Sequence, residues 1–222
     1  MKNWILTGLA MIAATQLFAQ GVGIEAGVGF NSLRGSMHGS ELHSTLRPGL
    51  RAGIVAEEPI SDALAFQYGA FYSARGGNIA FTNDFDDNGT AVRQETDGYI
   101  RVDYVEIPLS LLYQKRNAND SRFIIGGGPY AAVAFGGLIG FDRDFHANGN
   151  TKRFSSLMPA GIGDDEDFRR FDAGLQVQAG YELLKGFYAR GRATYGLVDI
   201  NPAPTGEMKN MGFALTLGYM IR

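Results

Sequence analysis

Residues 171–183 read Phe-Asp-Ala-Gly-Leu-Gln-Val-Gln-Ala-Gly-Tyr-Glu-Leu, and this stretch decides the fold class of the chain. Its odd-numbered positions are all apolar or aromatic, whereas its even-numbered positions carry Asp, Gly, Gln and Glu. Because successive side chains of a β-strand point to opposite faces, an alternation of period two predicts a strand with one apolar face. The stretch is therefore predicted to be a strand that separates an apolar from a polar environment.

The same alternation recurs along the chain after residue 20. The alternation of the eight predicted strands is clearest at residues 22–30, 50–57, 64–73, 99–114, 123–135, 171–183, 187–197 and 211–221. In the fourth strand the apolar phase slips near Tyr104 and Val105, which predicts a β-bulge there. Eight such segments in 222 residues predict an all-β domain.

The connections between the predicted strands alternate between long and short. The long ones contain about 14, 24, 32 and 10 residues, and the short ones contain about 5 or 7 residues or a tight turn near residues 184–186. Long loops at one rim and short turns at the other are the plan of an outer-membrane barrel. A soluble β-sandwich also shows period-two alternation of its side chains, but this pattern of connection lengths favours a barrel.

Aromatic residues on the apolar face lie at both ends of the predicted strands. At the short-turn end they are Phe66, Tyr113, Phe123, Tyr181, Phe187 and Tyr219. At the long-loop end they are Phe30, Tyr72, Phe135, Phe171, Tyr195 and Phe213. Two aromatic girdles around a band of smaller residues match the two interfaces of a bilayer. We therefore predict an eight-stranded antiparallel up-and-down transmembrane β-barrel in the outer membrane of a Gram-negative bacterium.

The N-terminal segment is predicted to be a signal peptide. Lys2 precedes an apolar run over residues 4–14, and Ala19 suits the position before a cleavage site. The apolar run is shorter than the ~18 residues of a membrane-spanning helix. We expect residues 1–19 to be removed and residues 20–222 to form the barrel domain.

The polar face of the strands is predicted to line a filled lumen. An Arg at mid-depth on the lipid face costs about 2–4 kcal/mol, so Arg190 and Arg192 should point inward. Eight strands leave room only for side chains, and buried charges need partners. The expected polar network of the interior comprises Glu25, Arg51, Glu106, Asp172, Glu182, Arg190 and Arg192. For the arginines of strand 7, Asp172 and Glu182 are among the candidate partners, and a lumen packed in this way has no wide pore.

Several short motifs resemble the PorT-like outer-membrane β-barrel family of Bacteroidetes. They are Arg-Pro-Gly-Leu-Arg-Ala-Gly at 47–53, Tyr-Val-Glu-Ile-Pro-Leu at 104–109, Gly-Gly-Gly-Pro-Tyr at 126–130, Asp-Ala-Gly-Leu at 172–175, Gly-Tyr-Glu at 180–182 and Leu-Gly-Tyr at 217–219. The resemblance covers nearly the whole mature chain and implies an eight-stranded barrel with an N-terminal signal. It implies little about activity, although one branch of the family assists protein export across the outer membrane.

One loop motif matches a calcium-binding pattern. Asp84, Asp86, Asn88 and Glu95 fall at the ligand spacing of a calcium loop, with Gly89 at the turn position. The flanking residues do not read as helices, so the same residues also fit an Asn-Gly turn that closes a hairpin with solvated acids. With no Cys in the chain, a thiolate metal site is excluded, and we expect no other cofactor.

Two polar clusters remain in the predicted loops. The first contains His38, Ser40, Glu41, His43 and Ser44, residue types that could do lipid chemistry if they converged. The second is an acidic run at 164–167 followed by two arginines, which could contact lipid phosphates and their cations.

The sequence predicts a non-enzymatic outer-membrane barrel that acts as a structural or accessory/binding component, including as a subunit of a larger assembly. The alternatives are a protein-export accessory barrel, a lipid-modifying enzyme at the rim, and a small channel. The expected partners are outer-membrane lipids and other outer-membrane or cell-surface proteins. A net charge of −3 argues against nucleic acid.

Overall fold

The computed structural model describes residues 21–37, 40–42, 44–87, 90–117, 121–147, 150–183, 186–204 and 206–221. Their strands are β1 Gly21–Met37, β2 Ser40–Glu41, β3 Ser44–Thr45, β4 Arg47–Pro59, β5 Leu64–Asp87, β6 Thr90–Arg116, β7 Arg122–Ala147, β8 Asn150–Pro159, β9 Phe171–Glu182, β10 Phe187–Gly196 and β11 Gly206–Ile221. Within these residues, no helix is long and apolar enough to cross a membrane. The predicted signal peptide lies outside the described residues.

Eight of the strands form a closed antiparallel ring. The order is β1, β4, β5, β6, β7, β9, β10, β11, and every neighbouring pair is antiparallel. Pairing of β11 with β1, from Val22 opposite Ile221 to Met37 opposite Gly206, closes the ring. Each ring strand thus pairs with the next ring strand along the chain, and the predicted eight-stranded up-and-down barrel is confirmed.

Three ring strands continue far beyond the barrel wall. Pairing of β4 with β5 ends where Arg51 lies opposite Ser73, and pairing of β7 with β9 ends where Val133 lies opposite Phe171. Beyond these points β5, β6 and β7 remain paired with one another, and β8 adds to β7. We call residues 75–87, 90–102, 136–147 and 150–159 the projecting sheet. The long connections predicted at residues 75–98 and before residue 171 are therefore largely strand, and the first of them is the hairpin that one reading of residues 84–95 predicts.

The barrel is apolar outside and polar inside. On β9 the outward Leu175 and Val177 are 53% and 63% exposed, whereas the inward Asp172 and Gln176 are 1% and 2% exposed. A soluble protein would bury the first pair and expose the second. This inverted arrangement fits a barrel whose outer wall contacts lipid, where every backbone group is already paired within the sheet.

Aromatic rings pack against one another on the outer wall near both ends of the barrel. Phe187 and Tyr219 lie with ring centroids 4.8 Å apart near the short-turn end. Phe30 and Phe213 stack at 5.0 Å near the long-loop end. Such pairs stabilise the wall and occupy the positions where amphipathic rings meet the membrane surface.

A β-bulge lies at the predicted position in the fourth strand, but its extra residue belongs to the neighbouring strand and does not cause the phase slip. On β6 the even-numbered Ile100, Val102 and Tyr104 are all buried, so the strand keeps its alternation. The register shift lies between Asp103 and Tyr104, and the extra residue is Phe135 on β7. The slip in hydrophobicity instead marks a change inside the barrel, from a polar lumen to an apolar plug at the long-loop mouth. The plug contains Leu33, Ile100, Val102, Tyr104, Tyr130, Ala132, Ala134, Ile139, Ala160, Phe168, Ile200 and Met208.

Candidate functional site

The alternation of the ring strands directs the predicted polar residues into the lumen. All seven are buried there: Glu25, Arg51, Glu106, Asp172, Glu182, Arg190 and Arg192. Each comes from a strand whose neighbouring residues face lipid, so the period-two pattern alone sets its direction.

Next to the apolar plug, the charged residues form a chain of ion pairs. The Arg51 guanidinium donates to Glu106 Oε1 at 2.7 Å. Arg75 donates to the other oxygen of Glu106 and, at 2.9 Å, to Asp172. Asp172 also accepts hydrogen bonds from Tyr130 at 3.3 Å and Asn210 at 3.1 Å. The two acids therefore hold two guanidinium groups in place at the base of the plug.

Nearer the short turns, Glu57 joins two arginines. Its oxygens lie 2.5 Å from Arg122 and 3.2 Å from Arg190. Arg122 also pairs with Glu182 at 2.7 Å. Glu25 lies 3.3 Å from Arg190 and 3.5 Å from the remaining arginine, Arg192. Arg190 is thus held by Glu25 and Glu57, whereas Asp172 pairs with Arg75 and Glu182 pairs with Arg122.

Three members of the network were absent from the predicted set. Arg75 lay in a segment predicted as a loop, and Arg122 lay one residue before a predicted strand. Glu57 was assigned to the polar face but not to the network. With these additions the buried arginines are Arg51, Arg75, Arg122, Arg190 and Arg192, and their carboxylate partners are Glu25, Glu57, Glu106, Asp172 and Glu182. Among the described residues of the lumen, five positive and five negative groups therefore balance, which avoids an uncompensated buried charge.

The lumen is filled by these side chains. Phe71 lies between two of the arginines, with its ring centroid 4.1 Å from the Arg51 guanidinium carbon and 5.3 Å from that of Arg192. A cavity beside Arg51, Arg75 and Arg192 has a volume of about 10 Å³, which suits one water molecule. The described part of the lumen therefore resembles a packed polar core.

The projecting sheet carries a groove. Its volume is about 640 Å³ and it lies on the outward face of β5, β6, β7 and β8. A Cβ atom on Gly140 would lie 2.5 Å from the Tyr99 ring, so this ring lies across the glycine and forms part of the groove surface. Asp97 of β6 and Asp142 of β7 face each other directly across the strands. The groove thus combines an aromatic surface with two adjacent carboxylates.

The acids farther out on the projecting sheet already have partners. Arg153 donates to both oxygens of Asp144 at 2.6 and 2.7 Å, and these hydrogen bonds lower the pKa of the Asp144 carboxyl. Glu95 pairs with Arg93 at 3.0 Å and lies 3.8 Å from His146. These exposed pairs add little stability, but they neutralise the tip of the sheet.

The residues of the calcium pattern lie in a hairpin. The backbone of Asp84 and Asp86 belongs to β5 and that of Glu95 to β6, with Asp87 opposite Thr90. Asn88 lies outside the described residues. Within the described residues, no group of three Asp, Glu or His side chains is arranged to hold a metal ion. The calcium site stays a prediction that the hairpin geometry does not favour, because the ligands of a calcium loop converge on one point.

The other predicted clusters do not converge on one described site. His38 and His43 lie outside the described residues, and Ser40 and Glu41 form β2. Ser44 accepts a hydrogen bond from the Leu33 backbone at 3.1 Å. In the acidic run, Asp167 accepts one from the Gly161 backbone at 2.8 Å.

Together, the closed ring, the lipid-facing apolar wall and the balanced ionic lumen define an integral membrane β-barrel. The model of the outer membrane protein beta-barrel domain family matches residues 18–201, and the chain belongs to this family. The protein is therefore an outer-membrane protein of the Gram-negative type. A search of curated protein sequences found no match.

Three solved structures of similar fold are distant in sequence. OprG of Pseudomonas aeruginosa is 13% identical, with 92% of this chain and 97% of that chain covered and a TM-score of 0.43. Ail, the attachment invasion locus protein of Yersinia pestis, is 13% identical, with coverages of 92% and 99% and a TM-score of 0.37. The outer-membrane protease OmpT of Escherichia coli is 9% identical, with coverages of 91% and 96% and a TM-score of 0.33. Likeness at this level carries no argument about activity.

Proposed function

We propose that this protein is a non-catalytic accessory barrel that binds partner proteins at the cell surface through its projecting sheet. The observation that carries the proposal is the length of β5, β6 and β7, which contain 24, 27 and 26 residues. Crossing the membrane takes about 9–11 residues per strand. The remaining residues form an ordered platform outside the barrel, and rigid scaffolds that present surfaces in this way commonly bind partners.

The filled lumen supports a role outside the barrel. Charged side chains and the apolar plug occupy the path that a solute would take, and the lumen of eight strands has no spare width. A channel would need a continuous wet path past Arg51, Arg75 and Arg190, all of which are held by carboxylates. The surface of the projecting sheet is therefore the better candidate for function.

An accessory role in protein export is the second candidate. It is favoured by the resemblance of the motif at residues 104–109 to PorT-like barrels. Tyr104 and Glu106 of this motif lie at the junction between the apolar plug and the ionic lumen. In this role the barrel would anchor a larger assembly, and the projecting sheet would be the contact surface.

Trimming the projecting sheet tests the proposal. Ile79 lies opposite Gly98, and Gly140 lies opposite Leu157, so Asn-Gly turns can replace residues 80–97 and 141–156 without changing the register below them. We expect the trimmed protein to fold in the outer membrane, as shown by heat-modifiable migration in gels, but to lose the partners that the whole protein crosslinks in living cells. A trimmed barrel that keeps every crosslinked partner would contradict the proposal.

A further inference from the structure

The outer edge of the projecting sheet is an open strand. β8 pairs with β7 on one side, and within the described parts of the chain no strand pairs with its other side. All ten residues of β8 are exposed. Alternate N–H and C=O groups of such an edge point away from the sheet without partners, and they form a template for another strand.

The middle of this edge lacks the features that usually prevent pairing, whereas Lys152 and Arg153 lie on its tip side. Residues 154–158 read Phe-Ser-Ser-Leu-Met, with no charge and no proline until Pro159. Pairing of β7 with β8 runs without a bulge from Leu138 to Ala147. Phe154 and Leu157 are 59% and 64% exposed. Natural edge strands are normally protected by charge, proline or a bulge, so an unprotected edge indicates a surface that pairs.

The groove beside this edge carries two facing carboxylates. Asp97 and Asp142 face each other across β6 and β7, an arrangement that destabilises a sheet when both are charged. Among the described residues, neither acid forms a hydrogen bond or a salt bridge. The charge of Arg153 attracts both acids, but its guanidinium is held in a salt bridge by Asp144. A cationic group in the groove would relieve this repulsion.

Strand direction argues against a second copy of this chain as the occupant. β8 runs from the tip of the projection at Asn150 toward the barrel rim at Pro159. Every copy in the same membrane has its β8 running in this direction, so two copies can bring these edges together only in parallel. An antiparallel partner must run away from the membrane, as a segment of a different protein can.

We propose that the open edge of β8 binds an extended segment of a partner polypeptide as an added strand, with a Lys or Arg side chain of that segment reaching into the groove toward Asp142. The proposal rests on the binding role proposed above and names the class of partner. Main-chain hydrogen bonds would supply affinity, and the side-chain pockets would supply selectivity.

The distances allow this contact. One row of opposed residues crosses the projecting sheet and contains Ala80, Asp97, Asp142 and Ser155. A strand added to the edge of β8 would extend this row by one residue, which would lie beside Ser155. Neighbouring strands lie about 4.8 Å apart, so the Cβ of that residue would lie about 10 Å from the Cβ of Asp142. An extended Lys or Arg side chain crosses this gap over the small Ser155, whereas a short polar side chain does not.

Peptide binding to the whole protein in lipid nanodiscs tests the proposal. The probe is a short fluorescein-labelled peptide of alternating Thr and Val with one central Lys, and the matched peptide carries Gln instead. We expect the Lys peptide to bind more tightly and to protect the amides of residues 154–158 from hydrogen exchange. Asp142→Asn should weaken binding of the Lys peptide about two- to fivefold, the range of one exposed ion pair, and leave the Gln peptide unaffected.

Asp164→Asn is the control, because it removes an exposed acid on the same side of the membrane that does not line the groove. An equal effect of the two variants, protection outside β8, or dimers of the protein itself paired through β8 would overturn the proposal. If trimming abolishes crosslinks in cells but neither peptide binds, the inference fails and the proposed function stands. If trimming leaves the crosslinks unchanged, both fail.

Discussion

Glu106→Gln should strongly destabilise the barrel. Glu106 is fully buried and accepts hydrogen bonds from Arg51 and Arg75. When Glu106 has lost its charge, Arg75 keeps its salt bridge to Asp172 at 2.9 Å, but Arg51 has no other salt bridge to a described residue. One uncompensated buried charge costs about 3–5 kcal/mol. At a denaturant dependence of ~2 kcal/mol per molar urea, the unfolding midpoint should fall by about 2 M.

Urea unfolding of the refolded barrel in lipid vesicles, followed by tyrosine fluorescence or gel mobility, measures this effect. Glu58→Gln makes the same chemical change on an exposed residue and should shift stability by less than about 0.5 kcal/mol. Adding Arg51→Gln to Glu106→Gln removes the orphaned charge, so the double variant should be more stable than the sum of the two losses predicts. A loss for Glu106→Gln no larger than that for Glu58→Gln would refute the ion-pair chain.

Two further outcomes test the barrel as a membrane protein with a filled lumen. Leu217→Arg places a charge on the outer wall at a residue that is 71% exposed, and it should destabilise the protein in vesicles by about 2–4 kcal/mol; an unchanged midpoint would place this face away from lipid. The purified protein in planar bilayers should show no steady conductance because side chains fill the lumen, and reproducible single-channel steps would favour a channel instead.

Period-two alternation was enough to predict the ring of strands. It works where one face meets lipid and the other meets the lumen, as in β9. It failed for the projecting sheet because both faces of that sheet meet water near its tip. Residues 80–87 thus read as a loop, although they extend β5 to Asp87.

Alternation also predicted which charged residues point inward, but it could not predict their partners. The partner of Arg190 depends on the register and stagger of strands that are distant in sequence. These bring Glu25 and Glu57 toward Arg190 across the lumen, although the directly adjacent β9 supplies Glu182. Arg75 was absent from the predicted network for the same reason that the projecting sheet was not predicted. This residue lies where β5 leaves the barrel wall and enters the projecting sheet.

The central claim is that the short turns of the barrel lie inside the cell envelope and the projecting sheet lies at the cell surface. Labelling of intact cells tests this claim most directly. The chain contains no Cys, so single-cysteine variants report one position each. Ser155→Cys lies on the exposed β8, and Ser61→Cys lies in the short connection between β4 and β5. A membrane-impermeant maleimide should label Ser155→Cys on intact cells and Ser61→Cys only after the outer membrane is opened. Labelling of Ser61→Cys with protection of Ser155→Cys on intact cells would contradict the account.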